Sequence, residues 1–242
     1  MSRKILSGLL LILIVIMLDN QSIAASTNPT GILNQDTVVY DNNNTRITTL
    51  PKGMVIQYAE HNSSSYRVSV YVNGAYRNGY LSVNNVEKPF ESRETFEGRT
   101  ISDPTRVYAR NGSVLTTLNN RMIIKYTSYS ESWYQANVYV NGRYQTGFIH
   151  KDSVEHKLKE NISHEGITTL STPVYSRSGA LLTNLPNRTV ISYTHYSNNW
   201  YRLTVYANGR YQEGYVHRSY IEDAYTDKKS YEGAIVGADT PV

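Results

Sequence analysis

The chain has 242 residues, of which 22 are tyrosine, 3 phenylalanine and 2 tryptophan, and it contains no cysteine. The lack of cysteine excludes disulfides, thiolate metal sites and cysteine nucleophiles. The formal charge of +4 is spread thinly, with no lysine or arginine run of the kind that contacts nucleic acid.

Residues 1–26 have the pattern of a signal peptide. Arg3 and Lys4 precede the apolar run Leu9 to Leu18, and small residues follow at Ser22, Ala24, Ala25 and Ser26. A spanning helix needs about 20 apolar residues, and Asp19 and Asn20 end this run well short of that. The expectation is an exported chain with no membrane attachment after cleavage.

Self-similarity dominates the rest. The pairs Asn73-Gly74, Asn141-Gly142 and Asn208-Gly209 lie 68 and 67 residues apart, and Gly79-Tyr80, Gly147-Phe148 and Gly214-Tyr215 keep those intervals. The expected domains are unit 1 over residues 30–89, unit 2 over 96–157 and unit 3 over 164–224, joined by short polar connectors. Glu232-Gly233 to Pro241-Val242 copies the opening of unit 2, so residues 231–242 read as the start of a truncated fourth unit in a longer protein. A unit of about 60 residues is too small for an α/β enzyme domain and suits a small β-barrel.

Unit 3 illustrates the expected elements. Thr172 to Ser176 is a short strand, followed by a turn at Arg177-Ser178-Gly179. Leu181, Leu182 and Leu185 are apolar anchors, and Pro186-Asn187 marks a turn. Thr189 to Tyr196 is β-branched and aromatic, hence a strand. Trp200 to Ala207 and Arg210 to Val216 form a hairpin closed by Asn208-Gly209, whose residue types tolerate the positive φ of a type I′ turn. His217 to Tyr220 is a turn before Ile221-Glu222. Five or six strands per unit are expected, with no room for a long helix. The fold class is all-β: tandem SH3-like β-barrels, three complete plus the start of a fourth.

The opening Pro-Val-Tyr or Thr-Arg-Val-Tyr, the Ser-x-x-Trp-Tyr entry to the hairpin and the Gly-Tyr-Val-His or Gly-Phe-Ile-His exit resemble the bacterial SH3-like (SH3b) repeat family over residues 30–222. The resemblance implies a secreted, wall-associated array that binds peptidoglycan or an anionic wall polymer, such as those found ahead of Gram-positive peptidoglycan hydrolases (autolysins). It implies no catalysis by these units and no cofactor. A surface adhesin or matrix protein without an enzyme is the alternative, and a groove for a secreted protein partner is a third. Unit 1 departs from the pattern: Ser65 stands where units 2 and 3 have Trp133 and Trp200, so a pocket built on that tryptophan should be degraded there. Ser82 likewise replaces His150 and His217.

The hairpin register places Tyr71 opposite Tyr76, Tyr139 opposite Tyr144 and Tyr206 opposite Tyr211 on the outer face, because Val70, Val138 and Val205 must face the barrel. Each pair is either a cross-strand ladder that supports the hairpin or an aromatic platform for a sugar or peptide. Trp133 and Trp200, with Tyr134 and Tyr201 beside them, either sit half-buried at the barrel edge or line a ligand groove whose other wall is Tyr129 or Tyr196. Their indole N–H groups need partners in both cases. Arg143 and Arg210 read as solvated turn charges or as contacts to wall anions.

No catalytic motif is present. The six histidines show no HxxxH or HxH spacing, so no zinc site is expected, and His156 and His164 read as exposed connector residues. The recurring Glu87, Glu155 and Glu222 and the recurring Glu97, Glu165 and Glu232 read as structural or ligand-binding. The chain is expected to be monomeric.

Overall fold

A computed structural model describes residues 28–224; the expected signal peptide and the start of the fourth unit lie outside the described residues. Unit 1 contains β1 (Thr30–Leu33), β2 (Thr37–Tyr40), β3 (Arg46–Leu50), β4 (Val55–Gln57), β5 (Ala59–Glu60), β6 (Ser65–Val72), β7 (Ala75–Ser82) and β8 (Val86–Glu87). Unit 2 contains β9 (Thr95–Thr100), β10 (Thr105–Tyr108), β11 (Val114–Leu118), β12 (Ile123–Ser128), β13 (Trp133–Val140), β14 (Arg143–His150) and β15 (Val154–His156). Unit 3 contains β16 (His164–Thr168), β17 (Thr172–Tyr175), β18 (Leu181–Leu185), β19 (Val190–His195), β20 (Trp200–Ala207), β21 (Arg210–His217) and β22 (Ile221–Asp223). A single 3-10 turn precedes the last strand of each unit, and no α-helix occurs among the described residues.

The fold is all-β and repeated. Unit 2 is one antiparallel sheet in the order β11-β10-β14-β13-β12-β9-β15, and unit 3 repeats it as β18-β17-β21-β20-β19-β16-β22. Unit 1 splits the same path into sheets β3-β2-β7-β6-β5 and β4-β1-β8, because the ladder lapses at Tyr58 between β4 and β5. The sheet closes on itself. Leu118 and Val154, from opposite ends of the unit 2 strand order, share one core with Val107, Tyr126, Ala136 and Val138. Leu185 and Ile221 meet in the same way in unit 3. Each unit therefore has its own core.

The repeated glycine before the exit aromatic has a steric reason. A Cβ on Gly79, Gly147 or Gly214 would fall 2.4, 2.3 or 2.4 Å from Val39, Val107 or Val174. Two strands of unit 3 escape the sequence reading. The leucines at 181, 182 and 185 belong to a strand, β18, and β16 pairs with both β19 and β22. The segment HEGIT of β16 has little strand character of its own; its two partners hold it extended, so tertiary pairing overrides local preference.

The units pack through a repeated joint. At the first, Ile32 and Val55 of unit 1 lie against Tyr108, Tyr129, Trp133 and Phe148 of unit 2. The Val55 N–H donates to the Arg110 carbonyl (2.8 Å), and the Phe90 N–H donates to the Tyr129 carbonyl (2.8 Å). The Glu87 carboxylate accepts from the Ser130 hydroxyl (2.8 Å) and the Ser132 N–H (2.7 Å). At the second joint, Ile123 packs on Tyr175, Tyr196, Trp200 and Tyr215. Ile123 N–H donates to the Arg177 carbonyl (2.8 Å), Leu158 N–H to the Tyr196 carbonyl (2.7 Å), and Asn199 N–H to the Glu155 carboxylate (2.9 Å). The recurring Glu87 and Glu155 are thus joint residues.

One substitution separates the joints. Arg99 stands where unit 1 has Ile32. Its guanidinium lies 3.9 Å from the Trp200 ring centroid and 5.0 Å from that of Tyr215. The residue is fully buried, and none of its three guanidinium nitrogens has a hydrogen-bond partner. Burial pulls its pKa down to about 10.

Candidate functional site

The hairpin of each unit is built by local chemistry. Asn73-Gly74, Asn141-Gly142 and Asn208-Gly209 all have positive φ, from 52° to 82°, as a type I′ turn requires. That turn sets the register Tyr71↔Tyr76, Tyr139↔Tyr144 and Tyr206↔Tyr211. The period of two then buries Val70, Val138 and Val205, so the tyrosines must point outward. The two rings stand edge to face, with centroids 5.1 Å apart in unit 1 and 5.2 Å apart in units 2 and 3. All six rings are 63–77% exposed.

A groove runs between the hairpin of each unit and the strand that precedes it, and in units 1 and 3 it reaches the tyrosine pair. In unit 1 it has a volume of about 820 Å³ and is lined by Arg67, Ser69, Tyr71, Tyr76 and Asn78. In unit 3 it is about 780 Å³, with Arg202, Thr204, Tyr206 and Glu213 at the equivalent places. In unit 2 it narrows to about 480 Å³ beside Gln135, Asn137 and Thr146. In units 1 and 3 the groove therefore offers hydrogen-bonding side chains next to exposed aromatic faces, the combination that binds sugars and peptides.

The second set of expected ligand residues is placed elsewhere. Trp133, Tyr134, Trp200 and Tyr201 are 0, 4, 7 and 2% exposed. The tryptophans are covered by the preceding unit, and the two tyrosines belong to the barrel cores. Tyr129 and Tyr196 are buried in the same joints. The expectation of an open tryptophan groove is corrected accordingly: a large aromatic at the barrel end is more stable under the next barrel than in water. The Trp133 Nε1 has no hydrogen-bond partner, and its ring is held by packing at right angles to Tyr108 and His150.

No family model matches the chain, and no curated protein matches it. Two solved structures from Trichomonas vaginalis, NlpC1 and NlpC2, align with it at 11% identity. The first alignment covers 82% of this chain and 95% of that one with a TM-score of 0.22, and the second covers 80% and 98% with a TM-score of 0.21. Likeness at this level carries no argument about fold or activity.

In unit 1 the surface equivalent to the joint is uncovered among the described residues. Ser65 in place of tryptophan leaves a polar cleft of about 320 Å³ between Tyr40, His61, Tyr80 and Ser82. The Ser82/His150/His217 exchange has a simple reason. Each side chain accepts the N–H two residues on (Asn84, Asp152 and Ser219, at 3.3–3.4 Å) and so caps the 3-10 turn. Burial lowers the pKa of His150 and of His217.

Arg143 and Arg210 are exposed at the hairpin turns. Glu97 forms ion pairs with Arg177 (2.7 Å) and Lys157 (3.3 Å). Burial opposes ionisation of Glu97, but these two cations hold its carboxyl below the usual range. His156 is the last residue of β15, within hydrogen-bonding reach of the Tyr126 and Tyr134 hydroxyls, and His164 opens β16. The sequence pattern places both in the connector, whereas the structure puts both in strands. His164 is half-buried and meets His195 and Glu160, the only group of three metal-ligating side chains gathered among the described residues.

Proposed function

We propose that the chain is a secreted, non-catalytic array that binds peptidoglycan or an anionic wall polymer through the tyrosine pairs and their flanking grooves. The observation that carries this reading is the threefold recurrence of one exposed tyrosine pair, at the same register and ring geometry, with a polar groove reaching the pair in units 1 and 3. Six large rings kept at 63–77% exposure, well above every other tyrosine of the described residues, are what a binding surface needs and a soluble barrel does not. Weak single sites on one chain reinforce each other, because after the first contact the second becomes intramolecular. The mild positive charge favours approach to a polyanion. Export and monomeric assembly belong to the same proposal.

The test replaces the pairs with serine one, two and three at a time in the full chain. Retention on purified Gram-positive wall should fall more steeply than in proportion, by at least about tenfold for the triple variant. Loss of cross-strand contact should cost only about 0.2–1 kcal/mol per pair. If the triple variant melts earlier yet is retained unchanged, the pairs are hairpin ladders only and the proposal fails.

A further inference from the structure

Unit 3 differs from its neighbours at three positions that meet in space. Aligned through the repeat, Glu160, His164 and His195 correspond to Ser92, Phe96 and Ser128 of unit 2. Neither serine nor phenylalanine is a usual zinc ligand, whereas all three unit 3 residues are. The linker brings Glu160 over the sheet. One carboxylate oxygen lies 2.9 Å from His164 Nε2, and the other lies 3.1 Å from His195 Nδ1. His164 and His195 come from the paired strands β16 and β19, and their rings stack nearly parallel, 9° apart with centroids at 4.4 Å. Tyr193 and Tyr201 continue the stack beneath them.

We infer that Glu160, His164 and His195 form a binding site for a divalent transition-metal ion of the zinc type. The three donor atoms lie within 4.8 Å of one another, and the side chains are about one-third exposed, which leaves a path for entry. A tetrahedral zinc at about 2.0–2.1 Å from each donor holds its ligand atoms about 3.3 Å apart, so the two imidazoles must tilt toward one another and the flexible Glu160 side chain swing aside to complete the set. Each imidazole then presents a lone pair where it now points at the carboxylate, a change of tautomer that neutral histidine makes through solvent. Two imidazoles and one carboxylate select zinc-like ions over Mg²⁺ and Ca²⁺, which take oxygen ligands. Three protein ligands leave a fourth position for water or an anion. The bound ion would also tie the connector between units 2 and 3 to the β16–β19 pair. This inference does not depend on the wall-binding reading.

The test is calorimetric titration of the full chain with zinc chloride, with the visible spectrum of the cobalt(II) form as a second readout. The expected result is one tight ion per chain and no response to Mg²⁺ or Ca²⁺. H195S and H164F install the residues that unit 2 carries at those places and so are expected to fold, as checked by circular dichroism. Each should weaken zinc binding by roughly 100-fold, since a direct ligand matters at least as much as an outer partner. Binding by H195S as tight as that of the unsubstituted chain, or no tight zinc in the unsubstituted chain, would overturn the assignment and leave the three residues as a hydrogen-bonded clasp.

Discussion

Trp200→Ala is expected to destabilise the chain by about 5–7 kcal/mol and to part unit 3 from unit 2. Loss of a buried tryptophan carries a transfer term and a cavity term that together come to about 3–5 kcal/mol. Here a third cost adds to them. Arg99 is buried without a hydrogen-bond partner, and the Trp200 face at 3.9 Å is its main compensation. A desolvated cation–π contact contributes about 2 kcal/mol, and its removal leaves a buried charge uncompensated. Separation exposes the connector, so trypsin should cut after Lys157 or Lys159 much faster than in the unsubstituted chain. Trp133→Ala should act in the same way at Arg93 but more mildly, because its partner across the joint is Ile32 and no buried cation is stranded. The Arg99→Ile change copies unit 1, and in the Trp200→Ala background it should restore roughly 2 kcal/mol. If the Trp200→Ala connector stays as resistant as before, the tryptophan does not hold the joint. Additive effects of the two changes would show that Arg99 and Trp200 are not coupled.

Raising the pH above 10 should unfold the chain steeply. Burial raises the pKa of eight tyrosines: Tyr58, Tyr126, Tyr129, Tyr134, Tyr193, Tyr196, Tyr201 and Tyr215. Below pH 10 the folded and unfolded states both keep these phenolic protons. Above it the unfolded chain releases them and the folded chain does not, so stability falls with rising pH. Each such tyrosine costs about 1.4 kcal/mol per pH unit in that window. Against a total of about 5–15 kcal/mol for a typical domain, one to two pH units suffice. Arg99, held down to about 10, works in the opposite direction, since its folded form sheds its proton first, but it is one group against eight. Tyrosinate absorbance of the buried rings should therefore appear together with the loss of circular dichroism. Absorbance of all the tyrosines developing while the chain stays folded would overturn the expectation.

These two predictions rest on residues that the sequence announced and the fold reassigned. Tyr134 and Tyr201 follow the tryptophans in a Trp-Tyr step, and the step alone does not say which ring meets solvent. In the structure neither does: alternation along the strand turns the tyrosine into its own barrel, while the tryptophan faces the preceding unit. The recurrence of Glu87 and Glu155 is a visible signal for the joint, but nothing local marks a glutamate whose hydrogen-bond donors lie more than forty residues further on.

The sequence by itself determined the repeat, the all-β class and the outward tyrosine pairs. All three follow from interactions over a few residues: Asn-Gly fixes the turn, the turn fixes the register, and a period of two fixes the faces. Tertiary structure alone decided the joints and the Glu160–His164–His195 cluster. The physical reason is separation along the chain. Arg99 meets Trp200 and Glu160 meets His195 only after whole barrels and a connector have taken their places, and no local pattern encodes that distance.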